Sequence, residues 1–372
     1  MNRNTIPLGR ILGIPIGLDY SWFLVFALIT WTLATSYFPN EFRNWPDAQY
    51  WIVGAVTALM LFVSVLLHEL GHSVVALRYK IPVRSITLFI FGGVAQIGAE
   101  PPSAGAEFWI ALAGPLVSLA LAIFFRVSQL ISGSLDPLLA LVKYLAYING
   151  TLVLFNLIPG FPLDGGRVFR AVVWGITHSL RRATLVAASL GRFIAFVFIL
   201  VGAWQMFTGN LGNGLWIAFI GWFLESAASS QVQQQTIHDL LSGHRVADVM
   251  NRNYTIIPAD ATLQQLVDLH ILGSGRRSFV VTQGDQVLGL LTVHRIKEAP
   301  QTEWPRTTTA QVMIPVEQMK RVRPEAELWE ALEKMDMDGV NQLPVMMNGQ
   351  LLGMLSRDGI IGFLRTRREL GL

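Results

Sequence analysis

The 372-residue chain has no cysteine, which removes a disulfide framework, a thiolate metal site and a cysteine nucleophile together. Charge is scarce: Asp, Glu, Lys and Arg make up 14% of residues, where soluble proteins carry about 25%. With 52% hydrophobic residues and a mean hydropathy of +0.46, the composition is that of an integral membrane protein carrying a soluble part. The net charge is only +3, with a pI near 9.3. So small a basic excess suits the cytoplasmic flanks of membrane helices and argues against a nucleic-acid partner. Arg3 and Arg10 precede a Gly/Pro-rich stretch rather than an apolar run ending in a small-residue cleavage site. No removable signal peptide is therefore expected.

What the chain does have is long apolar runs, each of a length set by the roughly 20 residues a spanning helix needs. Runs from about Tyr20 to Tyr37, Trp51 to Leu77, Ala106 to Ser128, Pro137 to Asn156, Ala183 to Phe207 and Leu211 to Ala228 predict an α-helical membrane domain of about six spans over residues 1–228. Residues 5–19 are apolar but broken by Gly and Pro, as short extended segments at the membrane surface would be. Residues 83–98 are β-branched and aromatic around Gly92-Gly93, a hairpin pattern. Arg3, Arg10, Arg78, Lys80, Arg84, Arg167, Arg170, Arg181 and Arg182 gather on one side of the predicted spans, against little beyond Arg43 and Arg126 on the other. That bias places both termini in the cytoplasm. Arg192 lies inside a span, where it either snorkels to the interface, marks a shifted boundary or faces a polar interior.

The second run contains His68-Glu69-Leu70-Gly71-His72. Two His four apart on a helix share a face, so their imidazoles can hold one zinc with the Glu beside it. Two His and a Glu are costly in hydrocarbon unless they pair, ligate or meet a wet cavity. A third protein ligand is needed, and His178 and Asp164 are the candidates outside the soluble part. Asp164 is preferred, because it ends an apolar run in a loop of Pro159, Pro162, Gly160, Gly165 and Gly166 able to aim it, and a cation would compensate its burial. The alternative is that Asp164 only caps the next helix.

Together, His68–His72, Ala113-Gly114-Pro115 and Asn156-x-x-Pro159-x-x-Pro162-Leu163-Asp164-Gly165 resemble the site-2 protease family of intramembrane zinc metalloproteases over roughly residues 1–228. The resemblance implies one zinc per chain on His68, His72 and Asp164, Glu69 as general base and then acid, and Asn156 holding substrate or its oxyanion. An interhelical hydrogen bond is the other role open to Asn156. The substrates implied are single-span membrane proteins, cleaved in regulated intramembrane proteolysis. A helical substrate must unwind before attack, and the segment Phe89–Gln96 either offers it a strand edge or is a purely structural hairpin. The competing class is a membrane transporter or channel gated by the soluble part, which would show inverted repeats and no zinc site.

After Ala228 the sequence Ser-Ser-Gln-Val-Gln-Gln-Gln-Thr reads as a polar linker over 229–243. Beyond it the chain repeats itself: Val280–Thr292 aligns with Pro344–Ser356, and the segments around Met250 and Met313 align likewise. The order is β-α-β-β-α in each copy. The repeat resembles a tandem pair of CBS domains, at 244–300 and 307–368. Members of that family that bind adenine nucleotides often carry Thr/Ser-x-x-Asp after the last strand; here the copies read Thr292-Val-His-Arg295 and Ser356-Arg-Asp358-Gly359. Ribose recognition by a carboxylate is thus weakened, and a structural or dimerising role, with a homodimer through these domains, stands beside nucleotide binding. No Gly-rich phosphate loop occurs here, and His238, His244, His270 and His294 have no ligand spacing. A modulatory rather than chemical role is expected for this part.

Overall fold

Glycine and proline, which make residues 5–19 unfit for a spanning helix, leave them free to form a hairpin. In the computed structural model, which describes residues 5–131, 136–272, 276–284 and 286–370, β1 (Thr5–Ile11) turns back into β2 (Ile14–Asp19). Arg3 and Asp285 lie outside the described residues. The expected hairpin at 83–98 is present as β3 (Val83–Phe89) and β4 (Gly92–Ile97). The two hairpins form one four-stranded sheet in the order β1-β2-β3-β4, with β2 parallel to β3 through Ile16↔Ile86. This union was not legible in the sequence, because β2 and β3 are separated by α1 (Ser21–Glu41) and α2 (Asp47–Arg78).

The chain divides into two units, Met1–Gln235 and Thr236–Leu372. In the first, α2 is organised by spacing. Its buried residues Tyr50, Val53, Thr57, Leu61, Ser64, His68, His72 and Ala76 recur every three or four positions, one stripe of the helix. Asp47 in the first turn and Arg78 in the last suit the helix dipole. The sheet packs on this helix: Ile14, Ile16 and Ile86 meet Leu70, and Leu18 and Leu88 meet Phe62 with Trp22. Beyond the sheet come α3 (Ala104–Ile131), α4 (Asp136–Asn156), α5 (Asp164–Thr177), α6 (Leu180–Phe207) and α7 (Leu211–Leu241).

Among the described residues five helices, α1 to α4 and α6, are long and apolar enough to cross a membrane. Phe193, Phe196, Leu200, Trp204 and Phe207 of α6 stay exposed along one face, as lipid contact requires. The run beginning at Leu211 forms the first part of α7. Residues 229–241, the stretch read as a polar linker, continue that helix. Their Ser and Gln tolerate helix, no Gly or Pro intervenes before Gly243, and Ser229 and Ser230 hydrogen-bond one turn back to Glu225 and Ser226. Arg192 of α6 approaches Glu225 of α7, Nε to Oε1, at 3.5 Å, an interhelical pair.

In the second unit, β5 (Ile256–Pro258), β6 (Ser278–Gln283), β7 (Gln286–Thr292) and β8 (Ile314–Pro315) form one sheet, and β9 (Gln342–Met347) pairs with β10 (Gln350–Ser356). The repeats exchange their first segments. β8, from the second copy, pairs with β7 of the first through Leu290↔Ile314, while Asn251 of the first bridges to Met354 of the second. The repeat-equivalent Leu290 and Met354 are buried in one shared cluster. At the crossing points stand the equivalent glycines Gly289 and Gly353. A Cβ on Gly289 would lie 2.8 Å from Met313 Sδ, and one on Gly353 would lie 2.9 Å from the Asn251 carbonyl. Gly289→Val should therefore overpack this junction and cost about 1–3 kcal/mol. Chemical denaturation followed by the two tryptophans of the unit, Trp304 and Trp329, measures it; an unchanged midpoint would contradict the crossing geometry.

Candidate metal centre

Two turns of α2 carry His68, Glu69 and His72, and the Pro/Gly loop after α4 delivers Asp164 as the first residue of α5. The loop breaks the apolar run where the sequence predicted, between Asn156 and Asp164. His68 and His72 are 6% and 4% exposed. Their Nε2 atoms face each other at 3.2 Å, and Asp164 Oδ2 lies 3.0 Å from His68 Nε2 and 3.2 Å from His72 Nε2. Ligands about 2.0–2.1 Å from a tetrahedral ion stand about 3.3 Å from one another, so the three donors already span one face of a zinc tetrahedron.

The far side of each imidazole is fixed by α3. His72 Nδ1 donates to the Ile110 carbonyl at 2.7 Å, and His68 Nδ1 meets Ser118 Oγ at 2.9 Å. With Nδ1 so engaged, each ring turns the Nε2 lone pair toward Asp164, the tautomer a metal needs. Gly114 lies between these two supports. A Cβ there would stand 2.6 Å from His68 Nε2 and closer still to His72 Nε2. The glycine of Ala113-Gly114-Pro115 thus exists to let α3 come against the donor atoms. Ser118 and Ile110 were missed in the sequence: a backbone carbonyl carries no side-chain signal, and one serine among the apolar residues of a span has no distinguishing pattern.

Glu69 points to the sheet. Its Oε2 accepts a hydrogen bond from the Ala95 N–H of β4 at 3.2 Å, and its Cγ would lie 2.6 Å from a Cβ on Gly93. Asn156, the last residue of α4, is half-buried, and among the described residues it has no side-chain hydrogen bond. The buried asparagine of that helix is instead Asn149, whose Nδ2 donates to Ser64 Oγ of α2 at 3.3 Å. His178, the other candidate ligand, is exposed at the end of α5 and is not among the residues brought together. His68, His72 and Asp164 are the one metal-capable group of His and carboxylate side chains among the described residues.

Arg167 and Arg170 depart from the reading that made them flanking positive charges. Arg170 is 8% exposed, and its Nε donates to Oε1 of the fully buried Glu107 at 2.7 Å. Burial against a carboxylate on α3, invisible to a count of basic residues, outweighs hydration of this arginine.

Such a site, built on apolar helices and completed by an interrupted span, defines a membrane-embedded metallopeptidase. Residues 56–135 and 132–200 match the sequence model for Peptidase family M50, and residues 246–301 and 310–366 match that for the CBS domain. A Synechocystis sp. protein named "Putative zinc metalloprotease sll0528" is 35% identical over 373 residues, covering 98% of this chain and 96% of that one. Zinc metalloprotease MJ0392 of Methanocaldococcus jannaschii is 28% identical over 98% of both chains. The solved site-2 protease from Methanocaldococcus jannaschii shares 30% identity, covers 61% of this chain and 95% of that one, and superposes with a TM-score of 0.43. The chain belongs to peptidase family M50: it is an integral membrane zinc metalloendopeptidase of the site-2 protease type with a C-terminal CBS pair. This membership replaces the transporter alternative.

Gly114→Ala should abolish stoichiometric zinc, since even a methyl group occupies the space between the two Nε2 atoms. Metal analysis of the purified variant tests this, and zinc retained at one per chain would refute the role given to Gly114.

Proposed function

We propose that His68, His72 and Asp164 hold the zinc, that Glu69 moves the proton, and that peptide bonds of single-span membrane proteins are the substrate. The observation that carries this reading is the triangle of donor atoms, 3.0–3.2 Å on each side, inside apolar helices. Zinc, when bound, lowers the pKa of a ligated water to about 7 and polarises the scissile carbonyl. This chain's residues do the rest. His68 and His72 are held by Ser118 and the Ile110 carbonyl, so no reorientation is needed. Glu69 keeps Oε2 on Ala95 N–H and has Oε1 for a water proton, which it then delivers to the leaving amine. For Asn156 the proposed part is a contact to the substrate or its oxyanion, from the helix end that precedes the Asp164 loop.

The hairpin supports a place for the unwound substrate. β4 pairs with β3 on one side, and the Ala95 N–H, which goes to Glu69 rather than to β3, marks the other side as the one facing the carboxylate. A peptide added along that edge would lie beside Glu69, with its amides satisfied by a strand in place of its own helix. From His68 to Arg78 is about 15 Å along α2, so the reaction takes place within the membrane and nearer the cytoplasmic side. The proposed topology is about six spans, α7 supplying the sixth, with both termini cytoplasmic; Arg78, Lys80, Arg84, Arg181 and Arg182 support it.

The CBS pair tunes this activity. Thr292 and Ser356 cap the helices that follow β7 and β10, with Arg295 and Gly359 donating their backbone N–H groups to them. Arg295 and Gly359 therefore stand where nucleotide-binding relatives carry a carboxylate. A polar groove of about 570 Å³ lined by Arg321, Arg323, Glu325 and Met347 offers cationic side chains for the phosphates of an adenine nucleotide. A homodimer through the same unit is the other proposed partnership.

Glu69→Gln should keep one zinc per chain and lower peptide hydrolysis by about two to four orders of magnitude. Cleavage of a reconstituted single-span substrate near the normal rate would remove Glu69 as the base. His68→Ala, His72→Ala and Asp164→Asn should each lose zinc, as metal analysis will show. Truncation after Gln235, the end of the first unit, should change cleavage rate or substrate preference and abolish any response to adenine nucleotides. Identical kinetics with and without the soluble unit would leave it no regulatory part.

A further inference from the structure

Glu107, Ile110, Gly114 and Ser118 follow one another on α3 at intervals of three, four and four, which places them on one face. Three of them serve the histidines: Ile110 and Ser118 hold the rings, and Gly114 makes room for both Nε2 atoms. The fourth, Glu107, faces α5, the helix that begins with the third donor. Its Oε1 accepts from two nitrogens of Arg170, and Arg167 Nε lies 3.9 Å from the same oxygen. Its Oε2 is buried and has no hydrogen-bond partner among the described residues. The Arg170 guanidinium also lies 5.3 Å from the centre of the Phe161 ring, in the loop that delivers Asp164.

Stability does not account for this cluster. A buried ion pair can often be exchanged for apolar side chains with no loss of stability, and leaving Oε2 without a partner makes this one poorer still. What a carboxylate held by two guanidinium nitrogens does supply is direction. Arg170 lies six residues after Asp164 on the same helix, so fixing it against α3 and Phe161 fixes both the rotation of α5 and the loop before it.

We propose that the Glu107–Arg170 pair positions the third zinc ligand, setting α5 so that Asp164 Oδ2 meets the Nε2 atoms of His68 and His72. The proposal rests on the reading that these three residues hold the zinc. One face of α3 then aligns all three ligands, two by hydrogen bonds to the rings and the third through an ion pair to its helix. Glu107 and Arg170 are not among the metal-capable donors and act through α5.

The test uses the full chain purified in detergent, with zinc affinity measured by chelator competition, the absorption spectrum of the cobalt-substituted protein, and thermal unfolding of the metal-free form. The Glu107→Leu/Arg170→Met double variant should unfold no earlier than the metal-free wild type, yet bind zinc about 10–100-fold more weakly. Its cobalt spectrum should shift toward that of Asp164→Ala. The reversed pair, Glu107→Arg/Arg170→Glu, should regain part of the lost affinity. Asn149→Leu, which removes a buried polar contact between α2 and α4, should leave the spectrum unchanged. Wild-type zinc affinity and spectrum in the double variant would overturn the proposal. If that variant does not fold, Glu107→Gln carries the same expectation and the same refutation. Full zinc affinity in Asp164→Ala would refute the ligand set itself. Loss in Asp164→Ala beside an unchanged Glu107/Arg170 double variant would refute the positioning role alone.

Discussion

Three donor atoms converging in an apolar interior are the constraint on which the rest of the membrane unit depends. Two imidazole nitrogens and a carboxylate oxygen, 3.0–3.2 Å apart and screened from bulk water, make a poor arrangement without a cation, because their lone pairs point at one another. A cation makes the same geometry favourable. Every nearby oddity of sequence follows from holding it. Gly114 brings α3 against the donors, Gly93 brings β4 against Glu69, and the Pro/Gly loop after Asn156 ends one helix so that another can begin at Asp164. The irregular backbone sits at the site, where protein can shield it from lipid.

The parts of this site that were legible from sequence are those written in side-chain identity at fixed spacing. His68, Glu69 and His72 fall within five consecutive positions of one helix, so the shared face of the two His needs only the helical repeat. Asp164 was legible because an acid at the end of an apolar run, among prolines and glycines, calls for compensation. The hairpin at Gly92-Gly93 was legible from β-branched residues around a turn. What the sequence did not reveal depends on contacts between distant segments: Ile16 against Ile86 in the sheet, Ser118 behind His68, Glu107 against Arg170. None of these pairs has a spacing, and each partner alone has an ordinary local role.

Two readings gain detail from the structure for physical reasons that generalise. Arginines after an apolar run suggest a hydrated flank, and for Arg181 and Arg182 nothing contradicts that. Arg170 differs because Glu107 on α3 meets it, and a carboxylate in an apolar setting attracts a guanidinium more strongly than it would in water. Likewise Ser-Ser-Gln-Val-Gln-Gln-Gln suggests a linker by polarity, yet polarity does not break a helix. Only Gly or Pro does so reliably, and the first after Ala228 is Gly243.

The soluble unit applies the same close-approach logic away from the membrane. Each repeat sends its first segment across to the other's last strand, and each crossing is made where the strand has a glycine. Neither copy completes its own sheet: β7 needs Ile314 from the second, and β10 needs Asn251 from the first. The shared cluster of Val280, Leu290, Met319, Met346 and Met354 closes the junction with side chains from both. Methionine suits a contact that must fit two similar but unequal surfaces, since its unbranched thioether adapts where a branched chain would not. Strand pairing thus physically joins the two copies. The pair can respond as a single body, which is the property a regulatory attachment to a membrane protease requires.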